Sequence, residues 1–172
     1  MGQDRPIPGA SGGAEGAEDA DALAAFRDDA PNRAEQLRPK GQPFELLTFR
    51  FQSNLLAVRA HQVSRVIGWR TPFAVPGGAA AVAGVVQDGG RIIVVLHHPA
   101  GIALPPKERP ARIVVCDTRK GPIGLPAMET RAVGAVIVEG TPAAGDLLET
   151  EDGVATFLDV EEIVEKVLRS GA

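Results

Sequence analysis

The fold is decided by one stretch, A-G-V-V-Q-D-G-G-R-I-I-V-V-L at residues 83–96. Two short apolar runs, 84–86 and 91–96, flank an Asp-Gly-Gly turn, and glycine accepts the positive φ that a tight hairpin requires. Valine and isoleucine dominate both runs, and these β-branched residues favour strands. We therefore predict a β-hairpin here.

Similar short apolar runs, separated by turn residues, occur on both sides of this hairpin. Alternation in one of them places Leu47, Phe49 and Phe51 on a single strand face. Further strands are predicted at 55–58, 113–116, 123–125, 135–138 and 154–158. This spacing is typical of a sandwich or barrel.

Prolines and one helical spacing modify this all-β pattern. The proline-rich stretch 105–110 is predicted to connect two halves of the fold, and Pro126 to mark an edge or a shortened strand, because proline cannot donate a ladder hydrogen bond. Val63, Val66 and Ile67 are spaced as in one short helical turn.

A C-terminal helix is clearly marked. Asp159 and Glu162 resemble a capping box, and Gly171 follows as a stop. Between them one apolar stripe contains Ile163, Val164, Val167 and Leu168. By contrast, residues 1–43 have few large apolar side chains and are predicted to form a flexible, solvated tail, with a short helix at 19–29 on contact with a partner as the alternative.

Composition excludes several classes of function. A chain of 172 residues is expected to form one compact unit besides the tail, and a formal charge of −4 argues against a nucleic-acid partner held by a basic patch. The longest apolar run, 92–96, is far too short to span a bilayer. We therefore expect no direct membrane insertion. The single cysteine, Cys116, cannot form an intramolecular disulfide, which fits a cytoplasmic location.

The residues offer little for catalysis. The sequence contains no Gly-x-Ser-x-Gly elbow and no Gly-Lys-Ser/Thr phosphate loop. His97 and His98 would point to opposite faces of a strand, which is poor geometry for one metal, and Cys116 is predicted to be a small core residue. Asp88 and Asp117 are assigned to turns. We predict no enzyme, no cofactor and no metal, with a hydrolase using His97 or His98 as the alternative.

The stretch 83–96 resembles the hallmark hairpin of CheW-like domains, written G-V-I/V-N-L-R-G and followed by an apolar strand. The loop 69–76, the segment 121–125 and the stretch 157–161 follow in the family's order, so that the resemblance covers 44–169. It implies a mainly β fold of two small five-stranded β-barrel subdomains with a C-terminal helix.

The resemblance also implies a function. A member of this family is a non-enzymatic adaptor in a bacterial chemosensory complex, recruited to receptor clusters, whose partners are the signalling tip of a chemoreceptor, the regulatory domain of a CheA-type histidine kinase and other CheW-like proteins. Carried over to this chain, the partner-binding residues are Gly84, Gly89, Arg91, Val66, Ile67 and Val133. For Val66, Ile67 and Val133, packing in the core is the alternative.

Two departures from the family pattern bear on coupling. The turn position that commonly carries arginine is Gly89, and Arg91 would keep the same strand parity. The segment after Leu125 reads Pro-Ala-Met-Glu-Thr at 126–130. We expect weakened kinase coupling. In this respect the chain resembles the accessory adaptors of Frz-type systems in gliding bacteria. The alternatives are a full coupling protein and a small barrel that binds a ligand or nucleic acid.

Overall fold

The computed structural model describes residues 41–171, which form two five-stranded sheets and a C-terminal helix. The alternative helix at 19–29 and nearly all of the segment assigned to the tail lie outside these residues; within them, the first strand already begins at Gln42. The elements are β1 (Gln42–Phe51), β2 (Asn54–Arg59), β3 (Val63–Gly68), β4 (Val82–Asp88), β5 (Arg91–Leu96), β6 (Arg112–Thr118), β7 (Gly121–Ala127), β8 (Glu129–Val138), β9 (Leu147–Thr150), β10 (Gly153–Phe157) and α1 (Val160–Ser170).

The chain runs from the first sheet to the second and back. The first sheet has the order β8-β1-β2-β10-β9, and the second has the order β3-β6-β7-β5-β4. The prediction that 105–110 connects two halves is therefore wrong, because this stretch joins β5 to β6 within the second sheet. Strand partners depend on pairings far along the chain, such as Val94 with Ile123, and local proline content cannot reveal these.

Each sheet curls into a small barrel, as the resemblance implied, and side chains fill its interior. The interior of the first barrel is centred on the fully buried Phe157, and that of the second on Ile93 and Ile113. Gly124 of β7 faces the second interior, where an added Cβ would lie 2.7 Å from Ile113 Cγ2. Side chains thus occupy the space inside both barrels.

The largest core lies between the two barrels and under α1. As the alternation predicted, Leu47, Phe49 and Phe51 share one buried face of β1. They pack with residues of β6 and β7, and the helix adds Ile163 and Val164 to the same cluster. Leu168, predicted to belong to the apolar stripe of the helix, is 53% exposed instead.

Two local predictions near the barrels are also wrong. The helical turn expected at Val63–Ile67 is part of strand β3, and a single 3-10 turn precedes it at Ala60–Gln62. Pro126 lies in a seven-residue strand inside the sheet and pairs with Ile113. Its missing N–H is tolerated because the pairing of β7 with β5 involves only Ile123 and Gly124.

The N-cap of α1 is the predicted Asp159. One carboxylate oxygen accepts hydrogen bonds from the backbone N–H groups of Glu161 (3.0 Å) and Glu162 (3.2 Å), and the other lies 3.6 Å from Arg59 Nη1. We expect Asp159→Ala to lower the free energy of unfolding by about 1 kcal/mol, since these amides lose their acceptor. Urea denaturation measures the loss. Asp159→Asn keeps the acceptor and should retain most of the stability; an equal loss in both variants would contradict the capping role.

Candidate partner-binding surface

The hairpin predicted at 83–96 forms as β4 and β5. Its register pairs Gln87 with Ile92 and Asp88 with Arg91. The two turn residues, Gly89 and Gly90, have φ angles of 56° and 78°. A side chain at either position would strain the backbone, which explains why two glycines follow the aspartate.

Gly84 shapes the outer edge of the hairpin. Its φ is 147°, and a Cβ there would lie 2.2 Å from the carbonyl oxygen of Phe73. That oxygen accepts a hydrogen bond from Val85 N (2.9 Å), while Phe73 N donates to Val85 O (2.8 Å). The contribution of Gly84 is therefore to let the loop 69–76 approach the backbone of β4.

The space above Gly89 is occupied by another residue's guanidinium. A Cβ on Gly89 would lie 3.3 Å from Nη1 of Arg65, which comes from the opposite edge strand, β3. Arg91, expected to stand near position 89, turns instead towards β6, where its Nη2 lies 2.9 Å from Asp117 Oδ1. The turn thus has an arginine beside it, although not from the hairpin itself.

Asp88 and Asp117 belong to strands and form ion pairs, which corrects their assignment to turns. Asp88 contacts Arg65 Nη1 at 3.1 Å and Arg70 Nη2 at 3.2 Å. Because β3 and β4 are the two edges of the second sheet, the Arg65–Asp88 pair bridges the seam of the barrel. Sequence alternation could have suggested this, since Asp88 shares strand parity with the buried Val86.

The remaining predicted residues lie apart from the hairpin. Val66 is 38% exposed and Val133 is 55% exposed, so that packing in the core does not explain either residue. Ile67 is half-buried and packs against the interior of the second barrel, as the alternative proposed. Val66 and Ile67 lie on β3, whereas Val133 lies on β8 of the first sheet.

Several exposed apolar side chains were not predicted as site residues. Phe73 is 77% exposed and Ile92 is 65% exposed, and both lie beside the hairpin or on it. An apolar groove enclosing about 300 Å³ lies between β5, β7 and α1, and Val94 and the exposed Leu168 contribute to its lining. Large exposed apolar residues of this kind are typical of contact surfaces.

The titratable groups singled out in the sequence have structural surroundings. The ring of His98 stacks edge-on against Phe51, with 4.7 Å between centroids, and its Nδ1 accepts a hydrogen bond from Ala100 N. Burial, and to a lesser extent the charge of Lys166, lowers the pKa of His98 from its usual 6.5. Burial, with a smaller contribution from Asp117, raises the pKa of Cys116 to about 12, as expected for a core thiol.

The described part of the chain has neither a cluster of metal ligands nor a membrane-spanning helix. Across 41–171, the His, Cys, Asp and Glu side chains form no group of three or more that could hold a metal ion. In the same range, no helix has the length and apolar character needed to cross a membrane.

Comparisons with known proteins agree with this architecture. The family model described as "CheW-like domain" matches residues 45–168. Among solved structures, the chain is similar to the scaffolding protein TtCheW from Thermoanaerobacter tengcongensis, with a TM-score of 0.57 and 17% sequence identity over 72% of this chain and 94% of that one. No curated protein sequence matches. At this identity the structural likeness concerns the fold.

Proposed function

Because the chain belongs to the CheW-like domain family, we propose that it is a non-enzymatic adaptor of a bacterial chemosensory complex. In this role it binds the signalling tip of a chemoreceptor and, more weakly, the regulatory domain of a CheA-type kinase. Other CheW-like proteins are further partners, and the location is the cytoplasm at receptor clusters. A role like that of the Frz-type accessory adaptors belongs to the same proposal.

The observation that carries this proposal is the surface of the second barrel around the β4–β5 hairpin. Phe73 and Ile92 expose most of their apolar surface there, and the half-exposed Arg91 lies next to Ile92. Exposed aromatic and aliphatic side chains beside arginine have the composition of protein–protein contact surfaces. A surface of this kind supports binding of a protein rather than chemistry on a small molecule.

A barrel that binds a small ligand or an oligonucleotide is less well supported. Clusters of apolar side chains occupy both barrel interiors. The single tryptophan, Trp69, packs against the interior cluster of the second barrel, and the sequence has no tyrosine and a charge of −4. Binding of single strands requires stacking aromatic residues in a positive groove.

Weaker kinase coupling than in a full coupling protein is supported by the hairpin turn. Gly89 has no side chain, and the guanidinium beside it is held by Asp88 from across the barrel seam. A guanidinium fixed in this ion pair has fewer free donors than one projecting from the turn. A contact that depends on an arginine projecting from the turn would therefore be weaker in this chain.

Calorimetric titrations with the two partners test the proposal. The full chain is titrated with a receptor signalling-tip fragment and, separately, with the regulatory domain of the kinase. We expect heat of binding with the receptor fragment. The dissociation constant for the kinase domain should be at least about tenfold higher, and the chain should activate the kinase little in a reconstituted array. Strong kinase activation would identify a full coupling protein instead. Absence of heat in both titrations would contradict the adaptor function.

A further inference from the structure

Four charged side chains occupy one end of the second barrel. Arg65, Asp88, Arg91 and Asp117 come from β3, β4, β5 and β6, one from each strand. Each shares strand parity with residues that fill the barrel interior, such as Ile93 on β5 and Val115 on β6. They therefore cover the end of the barrel at which the β4–β5 turn lies.

Arg70 joins this set from the loop after β3. Its Nη2 lies 3.2 Å from Asp88 Oδ1, and its Nη1 donates to the carbonyl oxygen of Gln87 at 2.9 Å. We call Arg65, Arg70 and Arg91, together with Asp88 and Asp117, the arginine cluster. Asp88 and Arg91 are paired in the hairpin register, so that the two halves of the cluster are adjacent.

The charges of the arginine cluster do not cancel. Three guanidinium groups share two carboxylates, which leaves an excess of one positive charge on a protein whose formal charge is −4. Asp88 alone is shared by two arginines. A further carboxylate would complete the neutralisation, as in other interfaces with complementary charge.

The cluster also has unused hydrogen-bond donors. A guanidinium has five N–H donors, whereas Arg91 uses Nη2 for Asp117 and Arg65 uses Nη1 for Asp88. The Nε atom of Arg65 is buried and has no hydrogen-bond partner among the described residues. The side chains of Arg65, Arg70 and Arg91 are 36%, 56% and 48% exposed, so that an incoming group can reach them.

We propose that the arginine cluster is the docking point for an acidic side chain of the receptor segment, with Ile92 providing the neighbouring apolar contact. This inference rests on the proposed function and makes it more specific. The receptor segment it requires has a carboxylate beside an apolar residue. Arg70, the most exposed of the three arginines, contributes free donors, while Arg65 also closes the barrel seam.

Substitutions in the full chain test the docking point by calorimetry with the receptor signalling-tip fragment. We expect Arg70→Gln to raise the dissociation constant about tenfold at low salt, because a charged hydrogen bond is lost. The difference should shrink as the salt concentration rises, because screening weakens the attraction. Arg131→Gln is the matched control: Arg131 is 43% exposed and paired with Glu129 in the first sheet. Its dissociation constant should match that of the wild type.

Removing a carboxylate from the cluster separates docking from a merely structural role. Asp88→Asn frees two guanidinium groups and should lower the dissociation constant severalfold at low salt. A structural role predicts weaker binding instead. Should Asp88→Asn prove unstable by urea denaturation, Asp117→Asn gives the same test at a more exposed position, where the carboxylate is 49% exposed.

Each result of these titrations decides something. Wild-type binding that Arg70→Gln and both aspartate variants leave unchanged would overturn this inference while preserving the proposed function. Sensitivity confined to the titration with the kinase domain would overturn the assignment to the receptor. Absence of heat from the wild type with both partners would contradict the proposed function and this inference with it.

Discussion

Gly84→Ala is expected to detach the loop 69–76 from strand β4. The new Cβ would lie 2.2 Å from the carbonyl oxygen of Phe73, a distance that requires the backbone to move, and the φ of 147° is unfavourable for alanine. The two backbone hydrogen bonds between Phe73 and Val85 would then be lost. We expect the free energy of unfolding to fall by roughly 2–4 kcal/mol in urea denaturation.

A second glycine in a strand is the control for this prediction. Gly134 on β8 has nothing within 4 Å of an added Cβ, and its φ is not positive, so that Gly134→Ala should change the stability by less than about 0.5 kcal/mol. Hydrogen exchange at Val85 provides a local measurement, because its amide is protected by Phe73 O. Unchanged protection in Gly84→Ala would contradict the prediction.

The same result would change how partner binding by Gly84 variants is interpreted. Gly84 was predicted to contact a partner. In the structure, Pro72 and Phe73 cover the position that a Cβ on Gly84 would occupy. A loss of binding in such a variant would follow from displacement of the exposed Phe73 rather than from a lost contact of Gly84 itself. On this geometry Gly84 positions the backbone of Phe73.

Phe49→Ala is expected to have the largest effect on stability. Phe49 is 0% exposed and lies in the core that joins both barrels to α1. Truncating a buried phenylalanine costs roughly 3–5 kcal/mol, while a domain of this kind is stable by only about 5–15 kcal/mol. Thermal unfolding followed by circular dichroism should show a strongly lowered midpoint or a chain that is already partly unfolded.

Phe73→Ala is the matched control for this substitution. The same side chain is removed, but Phe73 is 77% exposed, so that the unfolding free energy should change by less than about 0.5 kcal/mol. Comparable losses in the two variants would contradict the assignment of Phe49 to the shared core. Phe73→Ala also leaves the backbone pairing with Val85 in place, which makes it suitable for binding measurements.

Local signals predicted the parts of the fold that local interactions determine. The β4–β5 hairpin follows from two glycines at positive φ, and the start of α1 follows from the Asp159 side chain and its two amide donors. Alternation in the sequence placed Leu47, Phe49 and Phe51 on one buried face of β1, although Leu46 and Thr48 on the other face are buried as well. Each of these elements requires only residues close in sequence, so that the sequence contains the information directly.

Features that depend on distant residues were missed or misassigned. Val66 is 38% exposed because it lies on the outer face of β3, opposite to Ile67, and the helical turn expected at this position concealed that alternation. Arg65 reaches the hairpin turn from β3, which precedes β4 in sequence but lies at the opposite edge of the sheet, and no local pattern marks that contact. The arginine cluster could have been suggested by strand parity alone, but its ion pairs depend on how the barrel closes.

The order in which strands leave the ribosome differs from the order in which they pair. Leu46 of β1 pairs with Gly134 of β8, and the entire second barrel lies between them in sequence. During synthesis, β1 and β2 therefore emerge before their partners β8 and β10, and their apolar faces stay exposed. Strands β3 to β7 can already fold together at that stage. We expect the second barrel to fold first and the first barrel to close last. Until then the β1–β2 hairpin is the segment that most needs protection by chaperones.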